Sequence, residues 1–154
     1  MEITEEELVP PILQRVRSGA IEGWWTVFKM IKFVLPLYIL VDLCKAYGLL
    51  DSLGVWCAPL MGLFGLPGAT AFAFIAGGLI NLYAAIAVLA PLDLTPWQVT
   101  QCGVMMGIAH NLVLEGGVLS STGARGGILT LCRILLAAVA GWLMFGMQLL
   151  GVAG

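Results

Sequence analysis

His110, Asn111 and Glu115 lie within two turns of one another in GIAHNLVLEGG, residues 107 to 117, and His110 is the chain's sole histidine. The flanking sequence is apolar enough for a bilayer span, and ionisable groups at such depth are costly and mark candidate functional sites. Neighbouring stretches add Asn81, Arg133 and the hydroxyls of Ser120, Ser121 and Thr122. An imidazole, carboxamides, a carboxylate and a guanidinium suit recognition of a polar solute. Neither a nucleophile–base pair nor a carboxylate dyad accompanies them, so no catalytic residue and no enzyme activity is expected.

Helical spacing sorts these residues onto faces. Gly103, Gly107, Asn111 and Glu115 recur every fourth residue, with His110 about 100° from Asn111. Gly77, Asn81 and Ala85 repeat the arrangement one span earlier, and Gly126, Thr130, Arg133, Ala137 and Gly141 do so in the last span. Glycines at this spacing admit a close helix neighbour that hides polar groups from lipid. A lipid-facing Glu115 or Arg133 would cost roughly 2.5–3.5 kcal/mol or more. Both should therefore turn inward, as an ion pair that holds helices together or as part of a polar site reached from one membrane face. A lone asparagine such as Asn81 is more often helix glue than ligand, and both readings stay open. The candidate substrate-binding set is Asn81, His110, Asn111, Glu115, Ser120, Ser121 and Arg133, with Asn111 left to bind solute. No cofactor and no metal are expected.

The elements that must position this set are helices in a membrane. The 154 residues are 60% hydrophobic and 10% charged, with a mean hydropathy of +1.01, where a soluble domain carries about 25% charge. A net charge of −2 leaves no nucleic-acid footprint. The acidic start MEITEEELVPP has no basic region typical of a cleavable signal. Cys44, Cys57, Cys102 and Cys132 lack metal-ligand spacing and read as small packing residues, with no disulfide framework.

Two domains follow from the pattern: an amphipathic interfacial helix over 1–25 and a single transmembrane domain over 26–154. In the first, Leu8, Val9, Ile12, Leu13, Val16, Ala20, Ile21 and Trp24 form an apolar stripe opposite Gln14, Arg15, Arg17, Ser18 and Glu22. Trp24-Trp25 places it at the headgroup level. The first span runs over about 28–50, bent at Pro36, with Asp42 and Lys45 spaced to pair. DSLGVWCAPLMGLFGLPG, residues 51–68, is too short and too interrupted to cross, and reads as re-entrant or interfacial. Spans over 68–90, 97–120 and 127–150 follow, the one over 97–120 opening with Thr95 as cap and Pro96 in its first turn. The expected fold class is an all-α integral membrane protein of four transmembrane helices, one re-entrant or interfacial segment and an N-terminal amphipathic surface helix. No internal repeat and no linker divides it.

GLPGATAFAFIAGGLINLYAAIAVLA and GIAHNLVLEGGVLSSTGARGGILTLCRILLA resemble the Gate, or nucleoside-recognition, domain of bacterial membrane proteins. The resemblance covers roughly residues 30 to 145 and is most specific in AHN-x-x-x-E and the later arginine. Similar domains occur in concentrative nucleoside transporters, in ferrous iron transport protein B and in spore maturation proteins A and B. The iron transporter's Gly-Cys-Asn-x-Pro element is replaced here by GLINLYAAI, with Asn81 where its cysteine would stand. There is also no GTPase phosphate loop, so iron transport is disfavoured.

In full transporters two such repeats enclose the site. The resemblance therefore implies a homo-oligomer, antiparallel if the chain inserts both ways up, or a complex with a sister Gate-domain chain. The expected location is the bacterial inner membrane. Arg15, Arg17, Lys29 and Lys32 against Lys45 and Arg125 favour a cytoplasmic N-terminus. Two functions fit: a half-size transporter or channel for a small polar solute, or a non-transporting membrane module that assembles with a partner protein.

Overall fold

A computed structural model describes residues 11–151. It contains α1 (Ile12–Ala46), α2 (Leu49–Gly62), α3 (Thr70–Leu79), α4 (Leu82–Leu89), α5 (Pro96–Ile108), α6 (Leu112–Ser121) and α7 (Gly126–Leu149), with no strand among the described residues. The chain divides into two units, Met1–Phe33 and Val34–Gly154. In the first, Ile12, Leu13, Val16, Ile21 and Trp24 are exposed along α1, and Trp25 meets Phe28 edge-on at a centroid distance of 6.3 Å. Leu8 and Val9 of the expected stripe lie outside the described residues.

In the second unit the expected span over 28–50 is interrupted. α1 ends at Ala46, and Gly48 adopts a φ of 68°, a left-handed conformation that glycine enters without a Cβ clash. Lys45 does not pair with Asp42. Its Nζ donates instead to Asp93 Oδ2 and to Pro91 O, each at 2.7 Å, tying the end of α1 to the turn before α5. Thr95 builds the expected N-cap there: its Oγ1 accepts from the Gln98 amide while Gln98 Oε1 accepts from the Thr95 amide.

Residues 51–68 become α2 and a turn that brings the chain back across it. A Cβ on Gly54 would lie 3.0 Å from the Ala69 nitrogen, so the two backbones nearly touch. At about 21 Å, α2 is shorter than the ~30 Å hydrocarbon core, as the sequence requires of it.

The span expected over 68–90 is corrected by the structure. A continuous helix would separate Gly77 from Ala85 by about 12 Å along its axis. Here a Cβ on Gly77 would sit 3.1 Å from the Ala85 methyl, so α4 folds back along α3 as a tight helical hairpin. The reversal falls at Ile80–Asn81, and Ala76, Gly77, Ala84 and Ala85 are small enough to let the two helices lie side by side.

The span over 97–120 is also broken, between α5 and α6, but here the chain continues onward. Pro96–Ser121 and Gly126–Leu149 are the two stretches long and apolar enough to cross a membrane among the described residues. Of the four expected spans, these two retain that length. α1 is not one of them, and Lys29, Lys32, Asp42 and Lys45 all fall in its last 18 residues. α7 packs against both halves of the broken helix. Gly126 and Thr130 lie against Gly116 and Ser120 of α6, while Gly141 lies against Met105 of α5.

Small side chains fill the interior and large ones face out. Ala73, Ala84, Ala85 and Cys102 are fully buried, whereas Leu131, Leu135, Leu136 and Trp142 of α7 are exposed. That distribution suits a bilayer, where lipid is as apolar as leucine and helices associate through close packing of small residues.

Candidate functional site

An interrupted helix strands carbonyls at the end of its first half and amides at the start of its second, and inside a membrane water is not there to satisfy them. The break between α5 and α6 shows where these groups go. Asn111 takes φ 48° and ψ 34°, a left-handed conformation that asparagine tolerates better than most residues. Its backbone amide turns out of the helix and donates to Gly77 O at 2.9 Å, joining the break to the end of α3.

Arg133, on α7, covers the stranded carbonyls. Its Nε donates to Ile108 O at 2.8 Å and its Nη2 to His110 O at 3.2 Å, while Nη1 pairs with Glu115 Oε2. A cation beside the last carbonyls of α5 also meets the negative end of that helix's dipole. The guanidinium fork suits this task because it presents donors in several directions from one plane. Close approach of α6 and α7 at Gly116, Thr130 and Gly126 sets the distance at which Arg133 reaches across.

His110 completes the cover. Its Nδ1 lies 3.1 Å from Met106 O and 3.0 Å from Gly107 O, and its Nε2 faces Glu115 Oε1 at 3.6 Å. No third His, Cys, Asp or Glu among the described residues joins His110 and Glu115.

The structure thus brings His110, Asn111, Glu115 and Arg133 together. Asn81 is linked to them through α3: it caps α4, with its Oδ1 accepting from the Ala84 amide at 2.9 Å. Ser120 and Ser121 stand apart. Their hydroxyls return to Gly116 O and Val118 O of their own helix at 2.8 and 2.7 Å, and neither touches the Arg133 network. The face expected from Gly103 and Gly107 is also corrected. Both are exposed, with nothing within 4 Å of a Cβ placed on either, and α5 buries Gln101, Cys102, Met105 and Met106 instead. The stripe on α7 does turn inward: Gly126, Ala137 and Gly141 are buried and Thr130 and Arg133 half-buried.

Gln101 is the polar residue that sequence reasoning passed over. It is fully buried, and its Nε2 donates to Phe64 O and to Gly141 O, both at 2.8 Å. It clamps the turn after α2 to α7. A glutamine in the middle of an apolar helix is a signal that could have drawn notice, since a buried carboxamide needs partners. Two clefts, one of about 230 Å³ between α2 and the start of α3 and one of about 370 Å³ at the end of α7, contain none of the clustered residues.

An all-helical membrane protein is the class that the two long apolar stretches and the outward-facing large side chains define. The chain is 37% identical over 123 residues to the uncharacterized membrane protein YvoD of Bacillus subtilis, across 80% of this chain and 39% of that protein. It therefore spans about two fifths of that relative's length. No family model matches the sequence, and no solved structure matches it.

Proposed function

We propose that the protein is a half-size membrane transport protein, a transporter or channel, for a small polar solute. The observation that carries this reading is the meeting of two interrupted helices, through the Asn111 N–H and Gly77 O, beside half-buried polar side chains in otherwise apolar segments. Irregular backbone at membrane depth is tolerated where it lines a protein cavity, and interrupted helices commonly frame transport sites. AHN-x-x-x-E, residues 109–115, and Arg133 are the elements in which the sequence resembles Gate domains, and both belong to this break. The site on this reading is Asn81, His110, Asn111, Glu115 and Arg133, with recognition rather than catalysis as their work.

A second copy of the chain, or a sister chain, would complete the transporter and cover the exposed Gly103–Gly107 face. The unaligned remainder of the Bacillus relative is longer than the aligned stretch, which leaves room there for a second unit of this size. A bacterial inner membrane with the N-terminus on the cytoplasmic side is the setting we assign.

A non-transporting module is favoured by one observation: most polar groups at the break satisfy one another, as the Arg133 and Asn81 bonds do. Flux into proteoliposomes, measured with light scattering on a panel of small polyols, amines and organic acids, separates the two. The transport reading predicts solute entry above that of empty vesicles for at least one class. Entry equal to that of empty vesicles for the whole panel would leave the module.

A further inference from the structure

The hydrogen bonds around His110 fix more than its position. Both neighbours of Nδ1, Met106 O and Gly107 O, are carbonyl oxygens, which accept and never donate. Nδ1 must therefore carry the hydrogen. In the neutral ring that leaves Nε2 as a bare lone pair, and this lone pair faces Glu115 Oε1 at 3.6 Å, beyond hydrogen-bond length. Two acceptors thus confront each other with no donor between them.

The charge around this gap has a definite balance. Glu115 on α6 and Arg133 on α7 are the charged groups that face His110, and α3, which also packs on α6, contains no ionisable residue. Each of the three nitrogens of Arg133 donates one of its hydrogens, two to carbonyls and one to Glu115 Oε2, so its charge is already paired with that carboxylate. The one cation of the cluster is therefore committed to the protein itself, while the second carboxylate oxygen and the imidazole nitrogen remain as acceptors.

We propose that the gap between His110 Nε2 and Glu115 Oε1 binds neutral or cationic solutes that donate hydrogen bonds, and refuses anions. The proposal rests on the transport reading only for what the binding accomplishes. An ammonium placed about 2.8 Å from each atom would donate one hydrogen to each, and a polyol would do so with two of its hydroxyls. A carboxylate or phosphate would meet two acceptors and a negative charge, with no uncommitted cation to offset them.

The sole histidine makes a direct test possible. Protein labelled with ¹⁵N only in histidine, held in lipid discs at mildly alkaline pH where an ordinary imidazole is neutral, gives one pair of ring-nitrogen signals. The expected result is a hydrogen on Nδ1 and none on Nε2, with the Nε2 signal moving on addition of methylammonium or glycerol and unmoved by acetate. Movement with methylammonium alone assigns the site to cations, and movement with glycerol to neutral donors as well. A hydrogen on Nε2, an acetate response, or no response to either donor overturns the proposal. In His110→Phe, thermal stabilisation by the responding probe should be lost. Flux without an Nε2 response would remove this inference and keep transport. An Nε2 response without flux would keep the inference and remove transport.

Discussion

Two helices of this protein break at an asparagine, and they break in different ways. At Asn81 the side chain does the work: its carboxamide caps α4, the chain reverses, and the hairpin closes on small residues of its own two halves. At Asn111 the backbone does the work. The residue turns left-handed, its amide leaves for Gly77, its carboxamide makes no hydrogen bond among the described residues, and the stranded carbonyls are covered by Arg133 from another helix. A break closed locally holds its polar groups for itself. One closed by a distant side chain can leave polar groups over, and the second break is where we propose recognition.

Breaking that comparison starts with its largest element. Arg133→Met uncovers Ile108 O and His110 O and leaves Glu115 without its cation. Unfolding in detergent should show a loss of roughly 3 kcal/mol. Glu115→Gln should cost less, roughly 1–2 kcal/mol, because Arg133 keeps its two carbonyl acceptors and the Glu115 side chain is itself only half-buried. If Glu115→Gln proves the more damaging of the two, the ion pair and not the carbonyl cover is what holds the break.

At the other break, Asn81→Ala removes a cap and should cost about 1 kcal/mol in the same assay, with most of it recovered in Asn81→Ser. The smallest effect on stability is expected at Asn111. Asn111→Gly suits a φ of 48° and should change stability by only a few tenths of a kcal/mol, whereas Asn111→Val should cost about 1–2 kcal/mol in the same conformation. Equal tolerance of both would mean that the left-handed turn is not kept in the membrane.

The membrane class was legible because composition alone decides it. The pairing of Glu115 with Arg133 was legible because two opposite charges in apolar helices have few other fates. The inward stripe of α7 followed from helical period, which holds there since α7 is unbroken. Both breaks escaped notice for one reason: hydropathy sums side chains, and GLINLYAA and GIAHNLVL are apolar on either side of the interruption. Without proline at either point, no residue type announced the change of direction. The Gly103–Gly107 face failed with the break, as a four-residue period cannot continue through a left-handed residue. Ser120 and Ser121 looked available by proximity in sequence, but a hydroxyl near a helix end readily bonds its own turn.

Asn111→Gly in proteoliposomes tests the central claim most directly, because it removes the unbonded carboxamide and spares the backbone turn. With wild-type protein passing a small hydroxylated or amine solute, the account predicts at least a tenfold fall in its flux alongside an almost unchanged melting temperature. Undiminished flux through Asn111→Gly would contradict it and reduce the α5–α6 break to helix packing.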